Sequence, residues 1–250
     1  MRGTIGGHMD EAEARNLSKL TNEFYAHVAD SFSATRQAPW PGWERVLASC
    51  ASCNEGEKPA REGCHTGPFR VLDLACGNLR FERFLSQRVP SMEAWAVDLC
   101  DELVRDRPPN VHYQHLDLAR SPADVTAPPC DLCVTFGFMH HLPTFEQRSA
   151  VLTALVDHTR LGGIVAASFW QFEHDPRLRA KATPLGERGD YLLGWQDQTE
   201  VARYCHSFDE GEIDALATTI AGRAHEVDRF WADGKSGRLN RYVVWQRAAE

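Results

Sequence analysis

Val71-Leu72-Asp73-Leu74-Ala75-Cys76-Gly77-Asn78-Leu79-Arg80-Phe81 decides the fold of this 250-residue chain. The apolar run Val71 to Leu74 reads as a buried parallel strand. A tight turn containing Gly77 follows, and Arg80, Phe81 and Phe84 open a helix. A strand feeding a helix through such a turn leaves a concave pocket at the strand's carboxyl end, where open α/β sheets bind nucleotide-like ligands. An acid inside the strand, Asp73, and a single turn glycine suit a phosphate poorly. They suit a ligand with an amino-acid part and no phosphate.

Outward from this stretch, strands and helices alternate as in a parallel sheet covered on both faces. Strand one is Arg70 to Leu74, with a helix from Leu79 to Gln87. Strand two, Glu93 to Val97, ends in Asp98 and leads to a short helix through Leu103 and Val104. Strand three, Val111 to His115, ends in Asp117, and strand four is Leu132 to Phe136. A helix carrying Val151, Leu152, Leu155 and Val156 returns through Leu161-Gly162-Gly163 to strand five, Ile164 to Phe169. Residues 171 to 200 break the rhythm with charges, prolines and glycines, and read as an excursion over the carboxyl ends of the strands. Ser207 is expected to cap a helix with early acids Glu210 and Glu212. Strands Ala224 to Trp231 and Arg241 to Gln246 then close the sheet as a hairpin. The expected fold is α/β and Rossmann-like: a mostly parallel seven-stranded sheet with an antiparallel last strand and helices on both faces. Residues 1–10 are set aside as a disordered leader, 11–68 as a helical cap and loop, and 69–250 as the main domain with its excursion at about 171–206.

Within the cap, Leu17, Leu20, Phe24, Tyr25 and Val28 fall at helical spacing over residues 11 to 30. The segment from Ser31 to Trp43 is dense in aromatics and prolines. It reads either as a loop pinned by Trp40 and Trp43, favoured from composition, or as a substrate wall with Arg36 as a charged contact. Of eight cysteines, Cys76, Cys100, Cys130 and Cys133 lie in or beside core strands, where a thiol acts as a small apolar group. Cys50, Cys53, Cys64 and His65 are four soft ligands in a polar loop. Their spacing matches no standard zinc pairing, so no metal is assigned.

The net charge is −8, with 35 acidic against 27 basic residues, which counts against a dedicated, sequence-independent nucleic-acid binder. No apolar run reaches the length of a bilayer crossing and no basic-then-apolar secretion signal opens the chain, so a cytoplasmic location and no membrane partner are expected.

Three acids close early strands in order. An acid ending strand two of a doubly wound sheet accepts both ribose hydroxyls of a nucleoside, which is the position of Asp98, and Asp117 is placed to accept from an adenine amino group. With Gly77 between Asp73 and Asp98, the set points to an adenosine-type ligand.

These residues, with Cys130-Asp131-Leu132-Cys133-Val134-Thr135-Phe136-Gly137-Phe138-Met139-His140-His141-Leu142 and Leu161-Gly162-Gly163, resemble the class I S-adenosylmethionine-dependent methyltransferases over about residues 69 to 170. The resemblance implies that S-adenosylmethionine is the cofactor and S-adenosylhomocysteine its product. It implies that Asp73, Ala75, Cys76, Gly77 and Arg80 surround the methionine part, Asp98 and Leu99 the ribose, and Asp117 and Leu118 the adenine. Phe136, Gly137, Phe138 and Met139 would line the wall beside the reacting methyl. The chain departs from the family where the usual first and third turn glycines are Ala75 and Leu79, which crowds the methionine end.

A narrower resemblance, to the tRNA wobble-uridine methyltransferases that esterify 5-carboxymethyluridine, rests on Phe32-Ser33-Ala34-Thr35-Arg36-Gln37-Ala38-Pro39-Trp40-Pro41. His140-His141 and Arg203-Tyr204-Cys205-His206-Ser207-Phe208 also carry it. It implies that Arg36 holds a substrate carboxylate and that His140, His141, Tyr204 and His206 orient it, with tRNA as acceptor and a small activating partner protein. Methyl esterification of a carboxylate needs alignment and exclusion of water more than a strong base. A small-molecule O- or N-methyltransferase, and a non-catalytic cofactor-binding partner subunit, are the alternative readings.

Overall fold

The computed structural model describes residues 9–50, 67–186, 189–195 and 198–248. Cys53, Cys64 and His65 lie outside these residues. Helix α1 (Glu11–Thr35) opens the described chain, capped by Asp10, whose side chain accepts from the Glu13 N–H. Its buried stripe is Ala14, Ser18, Thr21, Phe24, Val28 and Ala29. The small members of that stripe, and not Leu17 and Leu20, make the close approach to the neighbouring sheet. The helix continues past the expected end at residue 30, and in its last turns Ser31 and Thr35 donate their hydroxyls back to the Val28 and Ser31 carbonyls. A short helix, α2 (Gly42–Ala48), follows.

The main sheet begins with β1 (Phe69–Leu74), α3 (Arg80–Ser86), β2 (Met92–Asp98) and β3 (Val111–His115). It continues through β4 (Cys130–Thr135), α4 (Phe145–His158) and β5 (Thr159–Trp170). Strand β4 is buried at every residue and β1 at all but Arg70. Both are mostly apolar, interrupted by the buried acids Asp73 and Asp131, because helices cover both faces of a parallel sheet. After the excursion come α6 (Glu210–Thr218), β9 (Ala224–Ala232) and β10 (Asn240–Arg247), and the strand order is β3-β2-β1-β4-β5-β10-β9. Strand β10 runs antiparallel between β5 and β9, with Tyr242 opposite Ser168 on one side and Phe230 on the other. The seven strands and the single antiparallel one are those the sequence implies.

Two expectations are corrected, and the excursion gains its own architecture. The stretch around Leu103 and Val104 is a turn, not a helix. Helix α6 is capped by Asp209, not Ser207, in a reciprocal box with Glu212. The excursion is structured: α5 (Pro176–Arg179) leads into an antiparallel sheet of β6 (Ala182–Pro184), β7 (Asp190–Trp195) and β8 (Gln198–His206). This second sheet receives α1. The Tyr204 N–H donates to Thr21 Oγ1 at 3.2 Å, and Trp195 Nε1 to Ser31 Oγ at 3.1 Å.

The α1–α2 connection is locked to the main sheet by Asp233. One carboxyl oxygen accepts the Gly42 N–H at 3.1 Å; the other accepts Asn240 Nδ2 at 2.8 Å and the Tyr242 hydroxyl at 2.6 Å. A side chain at Gly42 would strike the Tyr242 ring at 2.5 Å. Among the described residues no helix is long and apolar enough to cross a membrane.

Candidate active site

The strand order reverses between β1 and β4, and a cavity of about 720 Å³ opens there at the carboxyl ends of the strands. Its floor is made by the segments following β1, β2, β3 and β4. Its roof is made by α1, the loop after it, β8 and the β9–β10 turn.

The floor carries the marks of a cofactor seat. Ala75 and Leu79 both hold left-handed backbone, at φ 67° and 56°, so the positions where the family places glycine keep the glycine conformation without glycine. Gly77, at φ 55°, has nothing within 4 Å of where a Cβ would stand, leaving the backbone open to a ligand. Asp98 shapes this turn: its oxygens accept the Gly77 N–H at 2.8 Å and the Cys100 N–H at 2.9 Å. Burial raises its pKa, and those two N–H groups oppose the rise. Asp117 accepts from the Ala119 N–H at 3.0 Å. Arg80 lies over Trp40 and Trp43, with ring centroids 4.9 and 5.1 Å away, and donates to the Ala38 carbonyl. Burial, then repulsion by Arg36, lowers its pKa to about 10, and its Nε has no partner. Asp73 is 3% exposed with Oδ1 unpartnered, and it faces Glu82 of α3. Gly137, at φ 73°, lets Trp40 close on the floor; a Cβ there would stand 2.9 Å from the indole.

The opposite end is cationic and aromatic. Arg36 and Arg203 both lie over the Trp195 ring, at 5.1 and 6.0 Å, and neither has a carboxylate partner among the described residues. Arg203 also stacks on Phe24 and donates to the Gly194 carbonyl, while its Nε is unpartnered. Burial first, and Arg203 also, lowers the pKa of Arg36. The turn Met139–His141 presents both histidines to the cavity. His141 Nδ1 sits 2.8 Å from the Tyr204 carbonyl, which can only accept, so Nδ1 carries the proton. Nε2 therefore accepts from the Tyr25 hydroxyl, also at 2.8 Å. Burial, then Arg203, holds His141 down to about 3; burial raises Tyr25 to about 12; burial, then His141, holds His140 well below its usual value. Buried Arg148 fixes the turn by donating to the Leu142 carbonyl at 2.9 Å.

His140, His141 and Cys205 bring one ligand atom each within 4.8 Å of one another. His141 spends both ring nitrogens on Tyr204 and Tyr25, which leaves the trio short of a metal set.

Of the residues expected from sequence, Asp73, Ala75, Cys76, Gly77, Arg80, Asp98, Leu99, Asp117, Leu118, Phe136 and Gly137 line the cavity. So do Phe138, Arg36, His140 and His141. Met139 does not: it is fully buried in the core beneath the turn. Tyr204 and His206 stand behind the wall, both on Asp190 Oδ1, with His206 Nε2 also 2.8 Å from Glu212. Their position is one of support, not of contact with a ligand. Four residues escaped the sequence reading. Tyr25 looked like one more member of a packing stripe, and Trp40 was favoured as a core plug, although it lines the cavity. Arg203 was quoted within a motif but given no part, and buried Glu82 gave no signal.

No family model matches the chain. It is 27% identical over 166 residues to the tRNA (carboxymethyluridine(34)-5-O)-methyltransferase ALKBH8 of Macaca fascicularis, a match covering 66% of this chain and 22% of that protein. To the tRNA (carboxymethyluridine(34)-5-O)-methyltransferase of Arabidopsis thaliana it is 26% identical over 178 residues, covering 71% and 39%. The chain thus spans well under half the length of these relatives. Among solved structures it is similar to the 1,6-didemethyltoxoflavin-N1-methyltransferase of Burkholderia thailandensis, with a TM-score of 0.58 at 15% identity, covering 100% of this chain and 94% of that one. The sheet order, the cavity at its reversal and these likenesses give the chain the fold of the class I S-adenosylmethionine-dependent methyltransferases.

Proposed function

We propose that the protein transfers a methyl group from S-adenosylmethionine to a carboxylate, forming a methyl ester, with 5-carboxymethyluridine at the tRNA wobble position as the acceptor. The floor suits the cofactor: an open turn at Gly77, the acids Asp98 and Asp117 to meet ribose and adenine, an unpartnered oxygen on Asp73 and an unpartnered guanidinium nitrogen on Arg80. Bound there, the cofactor supplies an electrophilic methyl on a sulfonium. The acceptor oxygen donates the electron pair of the new O–CH3 bond, and the pair of the broken S–CH3 bond stays on sulfur.

The observation that carries the carboxylate reading is the pairing of Arg36 and Arg203 over Trp195 with no carboxylate partner among the described residues. Two half-buried or buried guanidiniums that repel each other are stabilised by an anion between them, through charge-assisted hydrogen bonds. Among the described residues, neither histidine of this wall nor its tyrosine serves as a base at neutral pH. His141 is held near 3, His140 well below its usual value, and the Tyr25 phenol near 12, so the acceptor must bring its own lone pair. A carboxylate does. The names of the relatives and the Phe32 to Pro41 segment favour tRNA. The net charge of −8 favours the second reading, a small carboxylate.

The test incubates the protein and radiolabelled cofactor with carboxymethyluridine-bearing tRNA, and separately with a metabolite extract, each with and without cell extract as a source of a partner protein. Label in tRNA that mild alkali releases as methanol is the expected result, because esters hydrolyse and N-methyl groups do not. Alkali-stable label overturns the ester, and label confined to metabolites overturns tRNA.

A further inference from the structure

Glu82 is the most deeply buried acid among the described residues, at 1% exposure. It sits on the first turn of α3, on a face otherwise filled by Phe81, Phe84 and Leu85. The other deeply buried acids are satisfied: Asp131 by Arg160 and the Arg70 N–H, Asp190 by Tyr204 and His206, and Asp233 by its lock. Glu82 and Asp73 are not. Both oxygens of Glu82 and Oδ1 of Asp73 lack a well-formed hydrogen bond, and neither acid makes a salt bridge among the described residues. Each is the other's hydrogen-bonding neighbour. The remaining charged neighbours are Asp98, which acts against ionisation of both, and Arg83, which favours ionisation of Glu82. The Cys76 thiol faces the same group and is itself pushed up by burial and these acids.

Two ionised carboxyls in contact and out of water are mutually unfavourable, so such a pair keeps a proton between them. Burial first pushes Glu82 up to about 7, and burial with the Glu82 charge pushes Asp73 well above its usual value. Asp73 lines the cavity at its floor, and Glu82 of α3 neighbours it without itself lining the cavity.

We propose that Asp73 and Glu82 form a two-carboxyl seat for the α-ammonium of the cofactor, and that the pair gives up one proton when that ammonium binds. One carboxyl O–H bond breaks and the proton passes to solvent. The ammonium keeps its three N–H donors and meets an oxygen that lacks one. Asp73 makes the contact, and Glu82 is a positioning residue that sets the charge Asp73 presents. This rests on the cofactor reading, and the experiment separates the two.

S-adenosylhomocysteine is titrated into the protein by calorimetry at about pH 7 in phosphate and in imidazole, buffers of very different ionisation enthalpy. About one proton released per ligand is expected at this pH, with affinity rising by up to about tenfold per pH unit through neutrality. 5′-Methylthioadenosine, which lacks the amino-acid end, binds with no release. Glu82→Gln, whose amide can donate to Asp73, loses the release while still binding. Saturable binding of S-adenosylhomocysteine with a buffer-independent heat, or equal release by 5′-methylthioadenosine, overturns the seat and leaves the cofactor reading standing. No saturable binding removes both. Should the variant not fold, the two buffers and the two ligands decide on the unaltered protein.

Discussion

Replacing Leu79 by glycine should leave a more stable protein than replacing it by alanine, the reverse of the usual order in a helical segment. Leu79 is fully buried, packed with Cys76, Ala96 and Val104, and stands as the capping residue of α3 at φ 56°. Both substitutions forfeit the side chain, at about 2–5 kcal/mol for a buried leucine. Their difference isolates the backbone. Left-handed geometry costs an L-residue with a Cβ about 1–2 kcal/mol, and glycine loses about 0.5–1 kcal/mol more chain entropy on folding. The helix-cap preference for glycine over alanine acts in the same direction. Glycine should therefore lead by about 1 kcal/mol, or roughly 2–4 °C in Tm for a domain of this size. Urea unfolding followed by tryptophan fluorescence reads the difference, with Trp43 beside the Phe81 that follows this turn. Alanine equal to or better than glycine would refute the claim that this turn stores strain.

Arg203→Met and Arg36→Met should each lower kcat/KM for a carboxylate acceptor by about 10–100-fold, the worth of a charge-assisted hydrogen bond, and leave S-adenosylhomocysteine affinity within about threefold by calorimetry; loss of cofactor affinity would contradict a purely acceptor-side position. Asp233→Ala strands three buried donors and should cost about 3 kcal/mol in chemical denaturation, with loosening of the α1–α2 connection visible in amide exchange. At saturating cofactor, kcat on a carboxylate acceptor should be flat from about pH 6 to 9 and fall only where the acceptor itself protonates; a unit slope between 6 and 8 would reveal a titrating base that the wall lacks. Without cofactor, Glu82 contributes stability that is full below its unfolded value of 4.5 and lost as pH rises through about 7, and Glu82→Gln should flatten that arm of a pH–stability curve measured by urea unfolding.

The donor half of the site was largely legible in the sequence because its signals are local. Asp73 interrupts an apolar strand, Asp98 and Asp117 follow the next two strands, and parallel strands carry such residues to one edge of the sheet. The strain at Ala75 and Leu79 was visible only as two missing glycines, since φ leaves no trace in composition. The acceptor half was much less legible. Tyr25 occupies a helical stripe like any packing residue, and only the partner it finds at His141, 116 positions away, sets it apart. Arg203 gains meaning from Arg36 and Trp195, which come from distant segments. The second sheet was hidden because Gly189, Gly194 and many charges break the alternation that marks a strand. Ser207 passed for a cap because it and Asp209, two residues on, are both cap-forming types ahead of the same early acids.

The contact between α1 and β8 also sets an order in time. The Thr21–Tyr204 hydrogen bond joins residues 183 positions apart. At about 5–20 residues per second, α1 waits on the order of 10–40 s during synthesis for the strand that covers Phe24 and Val28. Throughout that interval the ribosome carries a helix with an open apolar stripe beside a Rossmann core that is already closing, and contacts of such long separation are slow to form. The cavity's floor therefore matures first and its roof last. A nascent chain stalled before residue 195 would hold most of the donor seat without Trp195 or Arg203 over it.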